Sequence, residues 1–488
     1  MLDKIKQLSK ETAIYGISTM VGRFLNFLLV PFYTHIFTRT EFGIYSNIYA
    51  FIGIFNIIFV YGMDAAYLKH ASKVQTGDDK DNFSTPFLLV FSTGIVLSIL
   101  IIIVRFPILS LLEVPASYSK LIIYSAGILL VDTLNVIPFL KLRLENKATK
   151  FAAFKLTNII INIIFNLILL LVFKFGIEAI FISNLIATLS SLILLSPTIR
   201  QNLRFKFYTP LLKKLLRFGL PFFPASIAAM LIQVIDKPIL AHLKDLKTVG
   251  TYNACYKLGV FMLLFVSMFQ YAWQPFFLQN AEEKNAKELF SKILTLFSIV
   301  GGITVIFFTL FTDNIVKFNF FGRSLIAAAY WGGLKIVPIV LLAYLFYGLY
   351  VVFSAGIYIK EKSLYVPLVT GLGAIINVGF NLILIPGFSI MGAAFATLAS
   401  YVVLAAGFFI VTQKFYKINY EYSKVLKIFS AILIINGIYY YLLYNNYLYF
   451  VYKLIMFLAF TLFIAFFVFE KKEILFLKEK ILKRLNAQ

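Results

Sequence analysis

Ionisable and amide side chains interrupt the long apolar segments of this chain, where their chemistry could bind a charged or polar substrate. An ionisable group at the centre of a bilayer costs about 3 kcal/mol or more, so such groups usually face a protein interior or a water-filled cavity. Cations there can replace the water that a phosphate loses. The candidates for lining a substrate cavity are Arg23, Asn26, Asp132, Lys155, Asn158, Asn162, Asp236, Lys237 and Lys257.

Spacing places several of these candidates on common helical faces, because steps of three and four residues return to the same side of a helix. One series is Gly16, Thr19, Arg23 and Asn26, and another is Lys155, Asn158, Asn162 and Asn166. A structural role stays open for these residues, since an asparagine that bonds a neighbouring helix contributes roughly 1 kcal/mol. Adjacent Asp236 and Lys237 point about 100° apart on a helix and could pair with other helices.

No catalytic or metal-binding pattern accompanies these residues. The sequence lacks the Gly-rich GK[ST] loop of proteins that hydrolyse ATP. Its three histidines, at His35, His70 and His242, do not have the spacing of metal ligands, and the lone Cys255 excludes an intramolecular disulfide. We therefore predict a protein that is not an enzyme and that needs no cofactor.

Composition indicates that lipid surrounds most of the molecule. Of the 488 residues, 61% are apolar and 14% are charged, and the mean hydropathy is +0.88. Soluble globular proteins carry about a quarter charged residues. The net charge of +23 would suggest nucleic acid in a soluble protein. Here the basic residues lie in short segments between apolar runs, a pattern that indicates membrane topology and attraction to anionic headgroups and no nucleic-acid partner.

Apolar runs of about 20 residues, the length that crosses a bilayer as a helix, recur about fourteen times. The predicted spans are 12–37, 43–66, 86–104, 118–139, 151–173, 177–197, 218–242, 250–277, 288–311, 332–356, 365–385, 391–412, 428–445 and 449–469. The predicted fold class is therefore an all-α integral membrane protein with about 14 transmembrane helices.

The distribution of lysine and arginine predicts the orientation. With the N-terminus inside, thirty basic residues fall in inner segments and eight in outer segments. Because positive charge is retained on the cytoplasmic side, we predict a multi-pass protein of the cytoplasmic (inner) membrane with both termini inside. The segment Met1 to Lys10 has no cleavage-site pattern, so no removable signal peptide is expected.

An internal repeat divides the predicted spans into two groups of six. Pro31, His35, Gly43, Tyr45 and Tyr49 recur 207 residues later as Pro238, His242, Gly250, Tyr252 and Tyr256. Asn162 and Phe165–Leu169 recur 215 residues later as Asn377 and Phe380–Leu384. Because six spans separate the copies, both groups enter the membrane in the same direction, as parallel repeats do in rocking transporters.

This repeat predicts two lobes and an additional pair of helices. The predicted units are an N-lobe at 1–197, a basic cytoplasmic linker at 198–217, a C-lobe at 218–412, two further helices at 413–469 and a basic cytoplasmic tail at 470–488.

Short segments of the chain also resemble a known family, the polysaccharide-unit (Wzx-type) flippases of the multidrug/oligosaccharidyl-lipid/polysaccharide exporter superfamily. The segments that carry the resemblance are Gly22-Arg23 with Pro31, Glu41–Tyr45 (EFGIY), and Asp236-Lys237 followed by Val249–Tyr252. The resemblance covers spans one to twelve. It implies a flippase that exports a polyprenyl-diphosphate-linked oligosaccharide across the cytoplasmic membrane during polysaccharide synthesis of the O-antigen or capsule type.

On this interpretation the two lobes work by alternating access, and Arg23, Lys257 and Lys237 capture the headgroup. The expected partners are the lipid-linked oligosaccharide, H+ or Na+ as coupling ion, membrane lipids and other polysaccharide-assembly proteins. A cation-coupled drug antiporter, a flippase for the peptidoglycan lipid precursor and a membrane-embedded polysaccharide polymerase or ligase remain alternatives. The antiporter would favour a cavity dominated by acids, and the polymerase would need large, charged outer loops.

Overall fold

The computed structural model describes residues 16, 20–22, 24, 25, 27–71, 77–320 and 322–468. In this part of the chain thirteen helices are long and apolar enough to cross a membrane. They coincide with the second to the fourteenth predicted spans, so the all-α membrane fold is confirmed. Of the first predicted span, residues 12–15, 17–19, 23 and 26 lie outside the described residues, and its segment 27–36 is helical.

The described residues of the first half form eight helices. They are α1 (27–36), α2 (Arg39–Val60), α3 (Met63–Ala71), α4 (Asp79–Ile103), α5 (Arg105–Leu111), α6 (Ser119–Leu144), α7 (Ala148–Leu167) and α8 (Glu178–Asn202). Helix α3 continues the span of α2, and a single π-helical segment, Ile168–Val172, extends α7. Within this half, α6 packs between α4 and α8, and α7 packs on α8.

The second half and the C-terminal pair contain the remaining helices. They are α9 (Thr209–Gly219), α10 (Phe223–Val234), α11 (Asp236–Leu243), α12 (Leu246–Tyr256), α13 (Val260–Asn280), α14 (Ala286–Lys317), α15 (Val337–Ile359), α16 (Tyr365–Phe388), α17 (Ile390–Phe415), α18 (Tyr422–Tyr444) and α19 (Phe450–Phe467). A small hairpin of β1 (Asn319–Phe320) and β2 (Arg323–Ser324) follows α14, and Ala328–Ile336 forms a 3-10 helix before α15.

The α-helical geometry is interrupted at two places in the second half. Helix α10 ends at Val234 and α11 begins at Asp236, because Pro238 has no N–H to donate to the carbonyl of Val234. Helices α12 and α13 are joined by a 3-10 turn, Lys257–Gly259. Broken helices are typical of substrate sites in transporters, since the break frees polar groups at membrane depth. Both breaks lie beside the cavity described below.

Successive helices alternate in direction and so give the bundle two distinct ends. We call one the hairpin end, because it carries the β-hairpin together with the α1–α2 and α11–α12 turns. We call the other the α9 end, because it carries α9. At the α9 end, Arg204 pairs with the carboxylates of Asp78 at 3.1 Å and Asp81 at 3.3 Å. The Asp81 N–H and the Arg204 guanidinium together hold the pKa of Asp78 below its ordinary value.

The predicted linker is more ordered than a simple loop. Its first residues, up to Asn202, complete the last turn of α8, and its end forms the amphipathic helix α9. Leu211 and Leu215 of α9 are buried where the helix packs on α3 and α4, whereas Lys213 and Lys214 are exposed. An apolar face on the bundle and a basic face toward water are typical of a helix at the membrane surface.

The two halves meet at the hairpin end, where α2 crosses α12 with backbone against backbone. A Cβ atom added to Gly43 would overlap the carbonyl oxygen of Leu246, and one added to Gly250 would overlap that of Arg39. Only glycine allows so close a crossing. Gly43 and Gly250 are positions related by the 207-residue repeat, and so are Arg39 and Leu246. The crossing therefore has an approximate twofold symmetry.

Further contacts between the halves close the hairpin end. One turn from the glycines, the Asn253 amide donates to the Ser46 hydroxyl at 2.6 Å, and these two residues are again 207 positions apart. The Tyr330 hydroxyl donates to the Phe37 carbonyl at 2.9 Å. His242 Nδ1 lies 2.8 Å from Glu113 Oε1. Together these contacts separate the interior of the bundle from this end.

The C-terminal pair packs on the second half through α14. Lys453 of α19 is 2% exposed and fully satisfied. Its ammonium lies 2.7 Å from both carboxylate oxygens of Asp313 and 2.7 Å from Asn314 Oδ1. A buried cation with a carboxylate partner fixes α19 against α14 at one position.

Candidate substrate cavity

A cavity of about 350 Å³ lies beside the two helix breaks, within the range of about 300–1,000 Å³ for ligand pockets. Its walls come from five regions: α1, α10, the α12–α13 junction, α15 and α17. The lining residues are Phe27, Gln233, Tyr256, Lys257, Val260, Leu263, Tyr344, Tyr347 and Tyr401. Most of the wall belongs to the second half, and Phe27 closes it from the first. The wall is aromatic and largely apolar. It carries one amide group, from Gln233, and one cation, from Lys257.

Lys257 supplies that cation from the 3-10 turn between α12 and α13. Its Nζ donates to the Tyr45 hydroxyl at 3.3 Å and lies 5.1 Å from the centre of the Tyr45 ring. Among the described residues no carboxylate lies within 4.0 Å of Lys257, so its charge is not neutralised by an ion pair. A half-buried ammonium with aromatic partners alone can still accept an anion.

The turn that carries Lys257 is held in place by close packing. Gly259 fits so tightly on α15 that an added Cβ would lie 2.6 Å from Val340 Cγ1. Lys257 is seven residues beyond Gly250, which corresponds to about 10 Å along the span at 1.5 Å per residue. The cation therefore lies below the glycine crossing, on the side of the α9 end.

Lys237 and Asp236, in contrast, form a buried pair with each other. Lys237 Nζ lies 3.2 Å from Asp236 Oδ1 and donates to the Gln233 carbonyl at 3.3 Å. The other oxygen, Asp236 Oδ2, accepts from the Tyr252 hydroxyl at 2.5 Å. Lys237 is also 5.3 Å from the centre of the Tyr256 ring, which lines the cavity. The pair thus borders the cavity, one aromatic ring away from its interior.

Asp132 and Lys155 lie in the first half, on α6 and α7, and outside the lining of this cavity. The two charges interact electrostatically but form no ion pair within 4.0 Å in the described structure. Lys155 Nζ lies 4.2 Å from the centre of the Phe139 ring. Asp132 is half-buried and Lys155 is exposed. These two charges therefore interact with each other in the first half, apart from the cavity around Lys257.

The asparagine candidates on α7 make hydrogen bonds to protein groups. The Asn158 amide donates to the Ala187 carbonyl at 2.7 Å and to the Ser191 hydroxyl at 3.0 Å, which ties α7 to α8. Asn162 Oδ1 accepts from the Asn166 amide at 2.9 Å. Asn166 in turn accepts from the Tyr33 hydroxyl at 2.8 Å. These bonds join α7 to its neighbours.

The same asparagine pairing recurs in the second half. The Asn381 amide donates to Asn377 Oδ1 at 3.0 Å and to the Asn377 carbonyl at 2.8 Å, as Asn166 does with Asn162. Residues that match in sequence across the repeat therefore make matching bonds.

Two further candidates, Arg23 and Asn26, lie outside the described residues. Of the candidates that the structure describes, Lys257 lines the cavity and the Asp236–Lys237 pair borders it. The sequence did not single out the tyrosines of the wall as site residues. Tyr344 and Tyr347 are three residues apart, a spacing that favours a shared helical face, but 17% of the chain is aromatic and the signal is weak.

The fold is that of the transporters of the multidrug/oligosaccharidyl-lipid/polysaccharide exporter superfamily. The lipid II flippase MurJ, in an inward closed conformation, superposes with a TM-score of 0.74 at 17% identity, covering 93% of this chain and 98% of that one. An inward-facing MATE-family multidrug transporter gives 0.65 at 14% identity, covering 80% and 94%. The MATE transporter VcmN of Vibrio cholerae gives 0.60 at 13% identity, covering 84% and 96%. At these identities the likeness shows the fold alone.

The chain belongs to the polysaccharide biosynthesis protein family, whose sequence profile matches residues 8–281. No curated protein sequence matches it significantly. The family and the fold together confirm the resemblance drawn from the sequence, and the thirteen candidate spans show a multi-pass membrane protein.

Proposed function

We propose that this protein flips a polyprenyl-diphosphate-linked oligosaccharide across the cytoplasmic membrane by alternating access, in polysaccharide synthesis of the O-antigen or capsule type. The observation that carries the proposal is Lys257, a cation in an aromatic cavity at membrane depth that has no carboxylate partner in the described part of the chain. A diphosphate needs such a charge when it leaves water, and the tyrosines around Lys257 offer flat surfaces to sugar rings and isoprenoid units. Family membership supports polysaccharide synthesis as the context.

The closed hairpin end supports the alternating-access part of the proposal. With the glycine crossing shut, a substrate in the cavity can exchange only with the α9 end or sideways with lipid. Basic residues are concentrated at the α9 end, so we place that end, both termini and the predicted tail in the cytoplasm. Arg23 is the cation that the sequence predicts for the same cavity, and we propose it as the second cation for the headgroup.

The topology can be tested by cysteine labelling in a Cys255→Ser background, which removes the chain's single thiol. Lys206 and Asn319 are exposed at opposite ends of the bundle. A membrane-impermeant maleimide added to intact cells should label Asn319→Cys and leave Lys206→Cys unlabelled until the cells are opened. The reverse pattern would overturn the orientation.

The substrate can be tested by deleting the gene and analysing the lipids that accumulate. We expect a polyprenyl-diphosphate oligosaccharide to build up and surface polysaccharide to fall, and a wild-type copy should reverse both changes. Lys257→Ala at equal membrane level should fail to do so, whereas Lys292→Ala, an exposed lysine paired with Glu288, should restore export. An unchanged lipid profile in the deleted strain would contradict the proposal.

A second candidate is a flippase for the peptidoglycan lipid precursor. The superposition with MurJ over 93% of the chain favours it, because that substrate carries the same diphosphate. The same lipid analysis separates the two functions. Accumulation of the peptidoglycan precursor, with cell lysis and normal surface polysaccharide, would select the second candidate.

A further inference from the structure

A second, smaller pocket lies on the same two helices as the cavity, nearer the α9 end. It has a volume of about 40 Å³ between α13 and α15. Its lining residues are Gln270, Trp273, Gln274, Phe277, Tyr350, Val351, Ser354 and Tyr358. No charged residue is among them. A water molecule needs at least about 10–15 Å³, so the pocket can hold a hydroxyl-bearing edge of a ring while the rest of the ring lies over the rim.

Trp273 is a buried aromatic residue of this pocket. The indole is 3% exposed, and its Nε1 has no hydrogen-bond partner among the described residues. A buried N–H without an acceptor is uncommon in native structures and calls for an explanation, because its desolvation is not compensated. Packing fixes the ring, which stacks on Phe269 at 5.6 Å and meets Phe290 edge-on at 5.3 Å. The indole therefore cannot turn away to find a partner elsewhere.

The two glutamines of the pocket add free hydrogen-bonding groups. Neither the Gln270 nor the Gln274 side chain bonds to another described residue, and each amide offers two donors and one acceptor. Gln274 and Tyr358 are exposed at the rim, and the Tyr358 ring stacks on Phe277 with centroids 6.3 Å apart. Flat aromatic faces beside free amides suit a sugar ring, which has an apolar C–H face and hydroxyls around its edge.

One face of α15 joins this pocket to the cavity. Tyr344, Tyr347, Tyr350, Ser354 and Tyr358 follow one another at steps of three, three, four and four residues, which places them along one side of the helix. The first two line the cavity and the last three line the pocket. The rings of Tyr347 and Tyr350 stack at 5.5 Å, so the aromatic surface is continuous.

We propose that this pocket is a saccharide subsite, where a sugar of the lipid-linked glycan docks while Lys257 holds the diphosphate. The inference rests on the proposed function and names a second place on the protein that recognises the substrate. Gln270 is thirteen residues from Lys257, about 20 Å along the span, so the subsite lies on the side from which a cytoplasmic glycan would enter. The chain then selects its substrate by sugar as well as by charge.

Tryptophan fluorescence can test the subsite directly, since the chain has only Trp273 and Trp331. In a Trp331→Phe background the purified full chain in nanodiscs reports on Trp273 alone. The probes are the methyl glycosides of glucose, galactose, mannose and N-acetylglucosamine. Mannitol controls for hydroxyls without a ring, and tetraphenylphosphonium stands for a drug cation.

We expect at least one glycoside to shift the Trp273 emission saturably, and mannitol to have no effect. The Gln270→Ala/Gln274→Ala double variant should bind that glycoside about tenfold more weakly or worse, as expected for two lost hydrogen bonds. Gln279→Ala, an exposed glutamine on the same helix outside the pocket, should behave as the parent. A response to no glycoside, an equal response in the double variant, or a response to tetraphenylphosphonium alone would overturn the subsite.

This measurement requires no lipid and no transport. Its failure alongside normal accumulation of the lipid-linked precursor in the deleted strain would remove the subsite and leave the flippase proposal intact. Failure of the lipid test alongside saturable glycoside binding would remove the flippase proposal and leave the glycoside-binding pocket.

Discussion

Lys257 of the second half and Lys453 of the C-terminal pair are both lysines within the bundle, and their surroundings differ in one respect. Lys453 is enclosed by Asp313 and Asn314, with three acceptor atoms at 2.7 Å. Lys257 has a phenol hydroxyl at 3.3 Å and faces a cavity. The enclosed cation can only hold helices together, because its charge is already matched. The lysine in the cavity can form an ion pair with an anionic group of a substrate.

The largest effect on stability is expected at Lys453, whose charge is paired with Asp313. Lys453→Met should lower the free energy of unfolding by about 3–5 kcal/mol, because it leaves Asp313 partly buried without a cation. Unfolding monitored in detergent micelles measures this change. The Lys453→Met/Asp313→Asn double variant should recover at least half of the loss. Equal stability of the single variant and the parent would show that the pair does not hold α19 in place.

Replacing Lys257, whose charge has no ion-pair partner among the described residues, should reduce export and leave stability nearly unchanged. Lys257→Met should change the free energy of unfolding by less than about 1 kcal/mol, since no ion pair is broken. It should lower export at least about tenfold at equal membrane level. Lys257→Arg keeps the positive charge and should retain most of the export. A variant that loses stability and export together would remove the distinction between the two lysines.

The Asp236–Lys237 pair lies between these extremes, since it is buried but borders the cavity. Lys237→Met should lower the free energy of unfolding by about 2 kcal/mol, because Asp236 loses a charged partner and keeps its bond from Tyr252. Export per folded molecule should fall less than it does for Lys257→Met. An equal or larger loss would place Lys237 in direct contact with the headgroup.

The smallest effect is expected at Asn158, whose amide already bonds two groups of α8. Asn158→Ala should lower the free energy of unfolding by roughly 1 kcal/mol, the usual contribution of such a bond between membrane helices. Export per folded molecule should stay unchanged. A loss of export without a loss of stability would show that Asn158 contacts the substrate, as the sequence predicts.

The membrane spans could be predicted from the sequence because lipid imposes one simple requirement, an apolar run of sufficient length. Span 288–311, for example, appears in the structure as α14, from Ala286 to Lys317. The ends extend beyond the prediction because helices continue into the headgroup region, where polar residues are tolerated. The depth of Lys257 could be predicted in the same way.

The partners of each polar residue could not be predicted, because they depend on side-chain conformation and on helix packing. Adjacent Asp236 and Lys237 point in different directions from the helix, yet the long lysine side chain folds back to its neighbour. Asp132 and Lys155, which the sequence placed in the substrate cavity, lie apart from the cavity around Lys257. The tyrosines that line the cavity could not be recognised from the sequence, because aromatic residues are abundant throughout the chain.

The crossing of α2 and α12 has a consequence for the origin of the molecule. Gly43 and Gly250 occupy matching places in the two copies, so each copy contributes the same surface and receives the same surface in return. A contact of this kind is self-complementary, as in a twofold dimer. A single ancestral half would already have carried both surfaces of this crossing and could have paired with a second copy of itself. Fusion of two such genes would have kept the same interface.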